Sequence, residues 1–379
     1  MIGILQRALV KLGWLWQRLR GSDTTISWVI GPVEIASMVS HLAAALPDSF
    51  SVSLSPHRFY RFSYDYQLSG RRGDWVRSRI VVPFLFGRLA ARAAGFMYVG
   101  GDGYLVPTGD EREWEFSYLA RKGVRICCVF TGNDIRSPKL TRNFEHETGL
   151  ETIMTYLAQL SSVFASDAYD LVRKRRAEVA DRFADVIFNA PIDQLSYLTK
   201  TAESFPYFFP DDRIVMDDVK HARGGPRVVV HAPSSPIIKG TQVVRAAVKR
   251  LKAEGYDFEY VELVEVSNDE VLETLRRAHI VLNEFYALVP GVFGVEAMAS
   301  DCALLTSADE RVETSLPRGS NDAWVVTPAS DVYANLKTLL DNPGLIEKQA
   351  AAGRRWVLEN ATMSASGRRV RGILDTVLN

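Results

Sequence analysis

From Thr24 onward, short and nearly continuous apolar runs alternate with longer stretches of helical period. Ile26–Ile30 (ISWVI) reads as a strand that breaks at Gly31-Pro32, and Ile35–Leu46 then takes a helical period. Phe96–Val99, Val124–Phe130 (VRICCVF) and Asp185–Phe188 repeat the strand pattern, each followed by a polar or glycine-rich turn. Apolar runs without polar alternation are buried on both faces, which predicts parallel sheets.

The segment Phe205–Pro226 gathers three prolines and a Gly-Gly pair without a long helical repeat, so it reads as a connection between domains. A second series follows. Strands are predicted at Val228–Val230, Phe258–Val261, Ile280–Leu282, Ala303–Thr306 and Trp324–Val326. Helices are predicted at Thr241–Lys252, Asn268–Arg277 (with Asn268 as its N-cap), Val332–Leu340 and Pro343–Glu359. Two βα-alternating halves predict an α/β protein of two doubly wound domains. The expected division is an N-terminal helix over 1–21, a first domain over 22–205, a linker over 206–226, a second domain over 227–360 and a terminal helix over 361–379.

The first twenty residues depart from this alternation. Met1, Leu5, Ala8, Leu12, Leu15 and Leu19 recur at helical spacing, joined by Ile2, Leu9 and Trp16, while Arg7, Lys11 and Arg18 fall on the opposite side. This is a basic amphipathic helix, and no small-residue cleavage site marks it as a signal peptide. Two readings stand: a helix lying in a membrane interface, or one packed on the protein's own surface.

At 379 residues the chain suits two domains. Lys plus Arg equals Asp plus Glu at 45 each, so no global field draws it to nucleic acid, and any polyanion site is local. Cys127, Cys128 and Cys302 have no metal-binding spacing and the six histidines form no HxxxH pair, so no metal is expected. Free thiols suggest a reducing, cytoplasmic compartment. No window of about 18 uncharged apolar residues predicts a membrane span.

In doubly wound sheets, ligands sit beyond the carboxyl ends of the strands. In the second half that rule selects His231, Ser234, Lys239, Glu284 and the loop Pro290–Gly294 leading to Glu296, with Gly291, Phe293 and Gly294 inside it. Lys239 beside a helix start suits a phosphate, though a solvated lysine at a turn is the plainer reading. Glu296 suits two neighbouring ribose hydroxyls as well as the helix dipole. His231 could serve the site or the core. In the first half the rule selects Gly31, the GGDG turn Gly100–Gly103, and Asn133, Asp134 and Arg136 from TGNDIR.

The run HAPSSPIIKGTQVVRAAVKRL followed by AHIVLNEFYALVPGVFGVEAMASDCALL resembles the C-terminal domain of the retaining, group-one GT-B glycosyltransferases, over about residues 228–360. The resemblance implies two Rossmann-like domains facing a cleft. It implies a sugar passed from a nucleotide-diphosphate donor, the co-substrate, to a glycan or lipid-linked acceptor, with no other cofactor. Matched position by position, Glu296 would bind the donor ribose, Lys239 the diphosphate, and the Gly291 loop the sugar; Lys239 and Asp134 are the expected catalytic residues.

Three positions depart from the family pattern. Its first glutamate falls on Leu288, its arginine on Ser234, and the glycine after the EAMA helix on Asp301. Glu284 could replace the missing carboxylate, and Arg245 or a first-domain residue the missing cation. Asp301 is the milder change, because aspartate tolerates left-handed backbone. A divergent transferase, a nucleotide-sugar epimerase and a non-catalytic nucleotide- or glycan-binding protein all remain open. A contact of residues 1–20 with the inner face of a membrane would favour a lipid-linked acceptor.

Overall fold

The computed structural model describes residues 2–21, 25–55, 62–70, 73–107, 109–217, 219–222 and 225–378. Met1 of the amphipathic pattern and Gly224 of the Gly-Gly pair lie outside them.

The first sheet contains β1 (Ile26–Pro32), β2 (Phe50–Ser53), β3 (Tyr66–Gln67), β4 (Ala93–Val99), β5 (Arg125–Val129), β6 (Val186–Asn189) and β7 (Glu203–Ser204) in the order β3-β2-β1-β4-β5-β6-β7. Every pairing in it is parallel. The second contains β8 (Arg227–His231), β9 (Phe258–Glu262), β10 (Ile280–Leu282), β11 (Ala303–Thr306) and β12 (Val325–Val326), ordered β12-β11-β10-β8-β9 and again wholly parallel. Strand order reverses between β1 and β4 in one sheet and between β8 and β10 in the other. Those are the two places where loops part and leave a crevice at the strand ends.

Each sheet is buried on both faces, as the unbroken apolar runs require. Phe96, Tyr98, Phe116 and Phe130 fill one side of the first sheet, and Trp28, Met97, Val129 and Phe188 the other. The helix Met363–Leu378 does not stay with the second domain. Val370 and Leu374 enter the core built by Trp28, Val39 and Leu42, and Arg371 Nη1 donates to the Ala45 carbonyl at 2.9 Å. Where the chain crosses back, Phe209 and Thr362 form a parallel bridge.

The N-terminal helix Ile2–Arg20 packs on the protein by the face opposite to its apolar one. Gln6, Val10, Gly13 and Gln17 are buried, spaced four, three and four residues apart. It lies on the helix Val82–Ala90 through glycines: a Cβ on Gly13 would stand 2.1 Å from the Phe84 carbonyl oxygen, and one on Gly87 2.0 Å from that of Val10. Leu5, Leu12, Leu15 and Leu19 stay at least half exposed. No described helix is long and apolar enough to cross a membrane.

The second-half elements fall within a residue or two of those predicted, with one local correction. Ser267, not Asn268, caps the helix Asn268–Arg277, its hydroxyl accepting from Glu270 N–H. At Asp301 the backbone is left-handed, φ 58°, as the glycine it replaces in the family pattern would require.

Candidate functional site

A cleft of about 460 Å³ opens between the two sheets, within the range of small-molecule sites. The second domain lines it with residues that follow β8 (Ser234), β9 (Glu265, Val266) and β10 (Glu284), and with the first turns of the helices Asn268–Arg277 and Gly291–Ala299. The first domain contributes Ile35 and Ala36 after β1, Asn133 and Arg136 after β5, and Asp193 and Gln194 after β6. All are carboxyl-end loops.

Of the residues selected from sequence, Ser234, Lys239, Glu284, Gly291, Phe293, Glu296, Asn133 and Arg136 line this space together. Lys239 Nζ pairs with Glu284 Oε2. Glu284 is buried, which pushes its pKa up, and the adjacent ammonium pulls it back. Gly291 has φ +64°, and a Cβ there would come within 2.8 Å of Glu284 Oε1, so glycine lets the carboxylate sit beneath the loop.

Glu296 is buried and accepts one hydrogen bond, from Asn268 Nδ2 at 2.8 Å. Burial raises its pKa to about 7, against the smaller lowering by Asn268. It lies on the helix Gly291–Ala299, whose start has no side-chain cap. The first amides of a helix have no intrahelical acceptor and carry the positive end of the dipole. A cavity that joins such a helix start, a lysine and a half-neutral carboxylate can take an anion and a pair of hydroxyls side by side.

Besides the GGDG turn, four selected residues are not in the cleft. His231 is fully buried: Nδ1–H donates to the Leu282 carbonyl at 2.7 Å, leaving Nε2 to accept from the Thr241 hydroxyl at 2.8 Å. Burial lowers its pKa to about 4, which keeps the ring neutral and makes Nε2 the acceptor. Its role is to tie β8 to the helix Thr241–Ala253. Gly294 is a packing glycine, where a Cβ would meet Asn283, Pro290 and Leu304 at 3.0–3.3 Å. Gly31 faces the Val52 carbonyl. Asp134, expected to be catalytic, closes its own loop by accepting from Thr131 N–H at 3.1 Å.

The departures resolve physically. Leu288 is buried, and its N–H donates to Asp193 Oδ1 at 2.8 Å, so that position bridges the domains. Arg245 is no substitute cation, for it pairs with Glu262 on the outside of its helix. Arg136 is the cation that enters the cleft, held by Asp193 Oδ2 at 2.7 Å and Asn133 Oδ1 at 2.5 Å. Of the GGDG turn, Gly101 packs against the Arg176 guanidinium and Gly103 against Glu115, away from the cleft.

Asn268, Asp193 and Gln194 were not selected from sequence. Asp193 and Gln194 sit in NAPIDQ just after β6, where the strand-end rule that found TGNDIR applies equally. Asn268 reads from sequence as a cap, although Ser267-x-x-Glu270 is the stronger capping signal.

Residues 219–373 match a family model described as glycosyl transferase-like. The sucrose-phosphate synthase of Thermosynechococcus elongatus is similar in structure, with a TM-score of 0.59 at 10% identity, over 93% of this chain and 99% of that one. An alpha-glucosyltransferase solved with UDP and a mismatched 13-mer DNA gives 0.55 at 11% identity, over 93% and 99%. S. aureus MnaA solved with UDP gives 0.50 at 15%, over 94% and 97%. At these identities the likeness is one of fold, and the fold is GT-B. Sequence comparison with curated proteins gave no match.

Proposed function

We propose that this chain is a glycosyltransferase, from the glycosyl transferase-like match of its second domain and the GT-B arrangement of both. Its donor is a nucleotide-diphosphate sugar held by the second domain, and its acceptor a glycan or lipid-linked sugar held by the first. The observation that carries the reading is the joining of Lys239, the uncapped start of Gly291–Ala299 and Glu296 in one cleft between two switch points.

The parts fit a division of labour. Glu296, once ionised, accepts hydrogen bonds from the two ribose hydroxyls, with Asn268 fixing its orientation. Lys239 leaves Glu284 for the diphosphate and, with the helix amides, stabilises the charge that grows on the departing nucleotide. Glu284 is then free to accept from a sugar hydroxyl, the task the family pattern gives to the position occupied by Leu288. This division needs no metal ion, and retention of configuration follows from the family resemblance. Arg136 and Asn133 face the acceptor from across the cleft.

A second reading, nucleotide binding without turnover, is favoured by one observation. Arg136 and Lys239 are the cations among the described lining residues, and each is already paired with a carboxylate.

The test is thermal stability against UDP, GDP, ADP and dTDP, with and without EDTA, followed by incubation with the matching nucleotide sugar. A ligand at about a hundred times its Kd stabilises by roughly 2.7 kcal/mol. Stabilisation by one nucleotide, unaffected by EDTA and lost in Lys239→Ala, supports the donor site. Nucleotide release that depends on an added acceptor supports transfer; an isomerised donor without acceptor identifies an epimerase. Binding without turnover selects the second reading, and no response to any nucleotide overturns both.

A further inference from the structure

The face of the N-terminal helix that the protein leaves outside is its apolar one, and a neighbouring segment extends it. Ile4, Leu5, Leu12, Leu15 and Leu19 are 50–80% exposed. The helix runs antiparallel to Val82–Ala90, with Gly13 opposite Phe84 and Gly87 opposite Val10, and its far end packs on the turn Arg77–Val81. There Trp75, Val76, Ile80 and Val81 are 42–63% exposed. Two segments far apart in sequence thus present one apolar surface. Patches of this kind mark a partner.

Charge identifies the partner. The chain is neutral overall, yet residues 2–20 and 74–81 together carry six Lys and Arg against one acid, Asp74, which Arg77 faces at 3.6 Å. Two cations attend each of two indoles: Arg20 and Arg88 lie 5.0 and 4.6 Å from the Trp16 ring, and Arg18 and Lys122 lie 5.5 and 3.7 Å from that of Trp14. Arg79 stacks on the exposed Trp75 at 4.4 Å. Apolar side chains rimmed by arginine-bearing tryptophans match the boundary between acyl chains and anionic headgroups.

We infer that Ile2–Arg20 and the segment Asp74–Val81 form a single monotopic docking surface for the anionic leaflet of a lipid bilayer. The surface lies on the first domain, and the start of the helix reaches the GGDG turn at the carboxyl end of β4, where Gly3, Gln6 and Arg7 share a small cavity with Gly101–Gly103. Docking therefore sets the carboxyl edge of the first sheet beside the leaflet. This inference goes beyond the transferase reading and stands without it, since vesicle binding is measured without turnover.

The experiment is co-sedimentation of the full chain with phosphatidylcholine vesicles, with and without phosphatidylglycerol. Leu15→Glu/Leu19→Glu and Trp75→Ala/Ile80→Ala are compared with the control Leu171→Glu, an exposed leucine on the helix Asp167–Phe183. Partition onto anionic vesicles should exceed that onto neutral ones by roughly tenfold or more, and fall by a similar factor in about 0.5 M salt. Each double variant should lose roughly tenfold with an unchanged thermal midpoint, and the control nothing. No binding, equal binding to neutral vesicles, or either double variant binding like the parent would overturn the inference. So would a dimer in sedimentation velocity that the same substitutions dissociate, for then a second copy of the chain covers the face.

Discussion

Lys239 and Glu284, forty-five residues apart, meet as an ion pair in the cleft between the domains. In the absence of donor, the carboxylate competes for Lys239, the one second-domain cation among the described residues that line the site. Glu284→Gln should therefore tighten nucleoside-diphosphate binding by several-fold, whereas Lys239→Ala should weaken it by roughly 30-fold or more, the range of a charge-assisted contact. Calorimetry on the two variants reads the opposite signs, and a loss of affinity in both would remove Lys239 from the phosphate site.

Ser234 is exposed in the cleft, at the position where the family pattern has arginine. Ser234→Arg should raise diphosphate affinity by about tenfold without affecting stability, since a surface substitution of this kind shifts it by no more than about 0.5 kcal/mol. Leu288→Glu should not rescue anything. It places a carboxyl at a buried site beside Asp193 and costs several kcal/mol, which a denaturant titration measures.

Glu296 gives the site a pH signature. Its folded pKa, about 7, lies above the ordinary value of 4.5 because burial favours the neutral acid. The native state thus holds a proton that the unfolded state has lost, and this contribution to stability, complete below about pH 4.5, disappears as pH rises through about 7. Relative to the parent, Glu296→Gln should gain on the order of 3 kcal/mol between those limits, as denaturation at several pH values would show. Nucleotide binding should run the other way, strengthening roughly tenfold from pH 6 to 8 as the carboxylate ionises to accept the ribose hydroxyls. Asn268→Ala should weaken binding at both ends of that range.

The glycine crossing under the N-terminal helix is equally open to test. Gly87→Ala drives a methyl group into the Val10 carbonyl and should cost about 1–3 kcal/mol by overpacking. Gly344→Ala, with nothing within 4 Å of its Cβ position, should be neutral or slightly stabilising. Equal melting temperatures for the two variants would mean that the helix is not seated as described.

What the sequence made legible was whatever rests on continuous local pattern. Unbroken apolar runs gave the parallel strands, and strand ends gave Lys239, Glu284, Glu296 and Arg136, because ligand loops follow strands in this architecture. The same rule misplaced His231 and Asp134, since it locates a residue at a strand end without saying whether its side chain turns toward the cleft or into a hydrogen bond of its own loop. The helix Ile2–Arg20 misled in a different way. Apolar periodicity picks out the greasy face, while the face that packs here is chosen by closeness of approach, through Gly13 and its partner Gly87. Pairings such as Leu288 with Asp193 depend on contacts between domains, which no local window contains.

The return of Met363–Leu378 to the first domain fixes an order of events during synthesis. The pocket around Trp28, Val39 and Leu42 is closed by Val370 and Leu374, some 330 residues later. The strands β8–β12 and the helix Pro343–Asn360 all leave the ribosome before Met363–Leu378 does. The first-made domain must wait, with an apolar flank open, for the last helix to arrive.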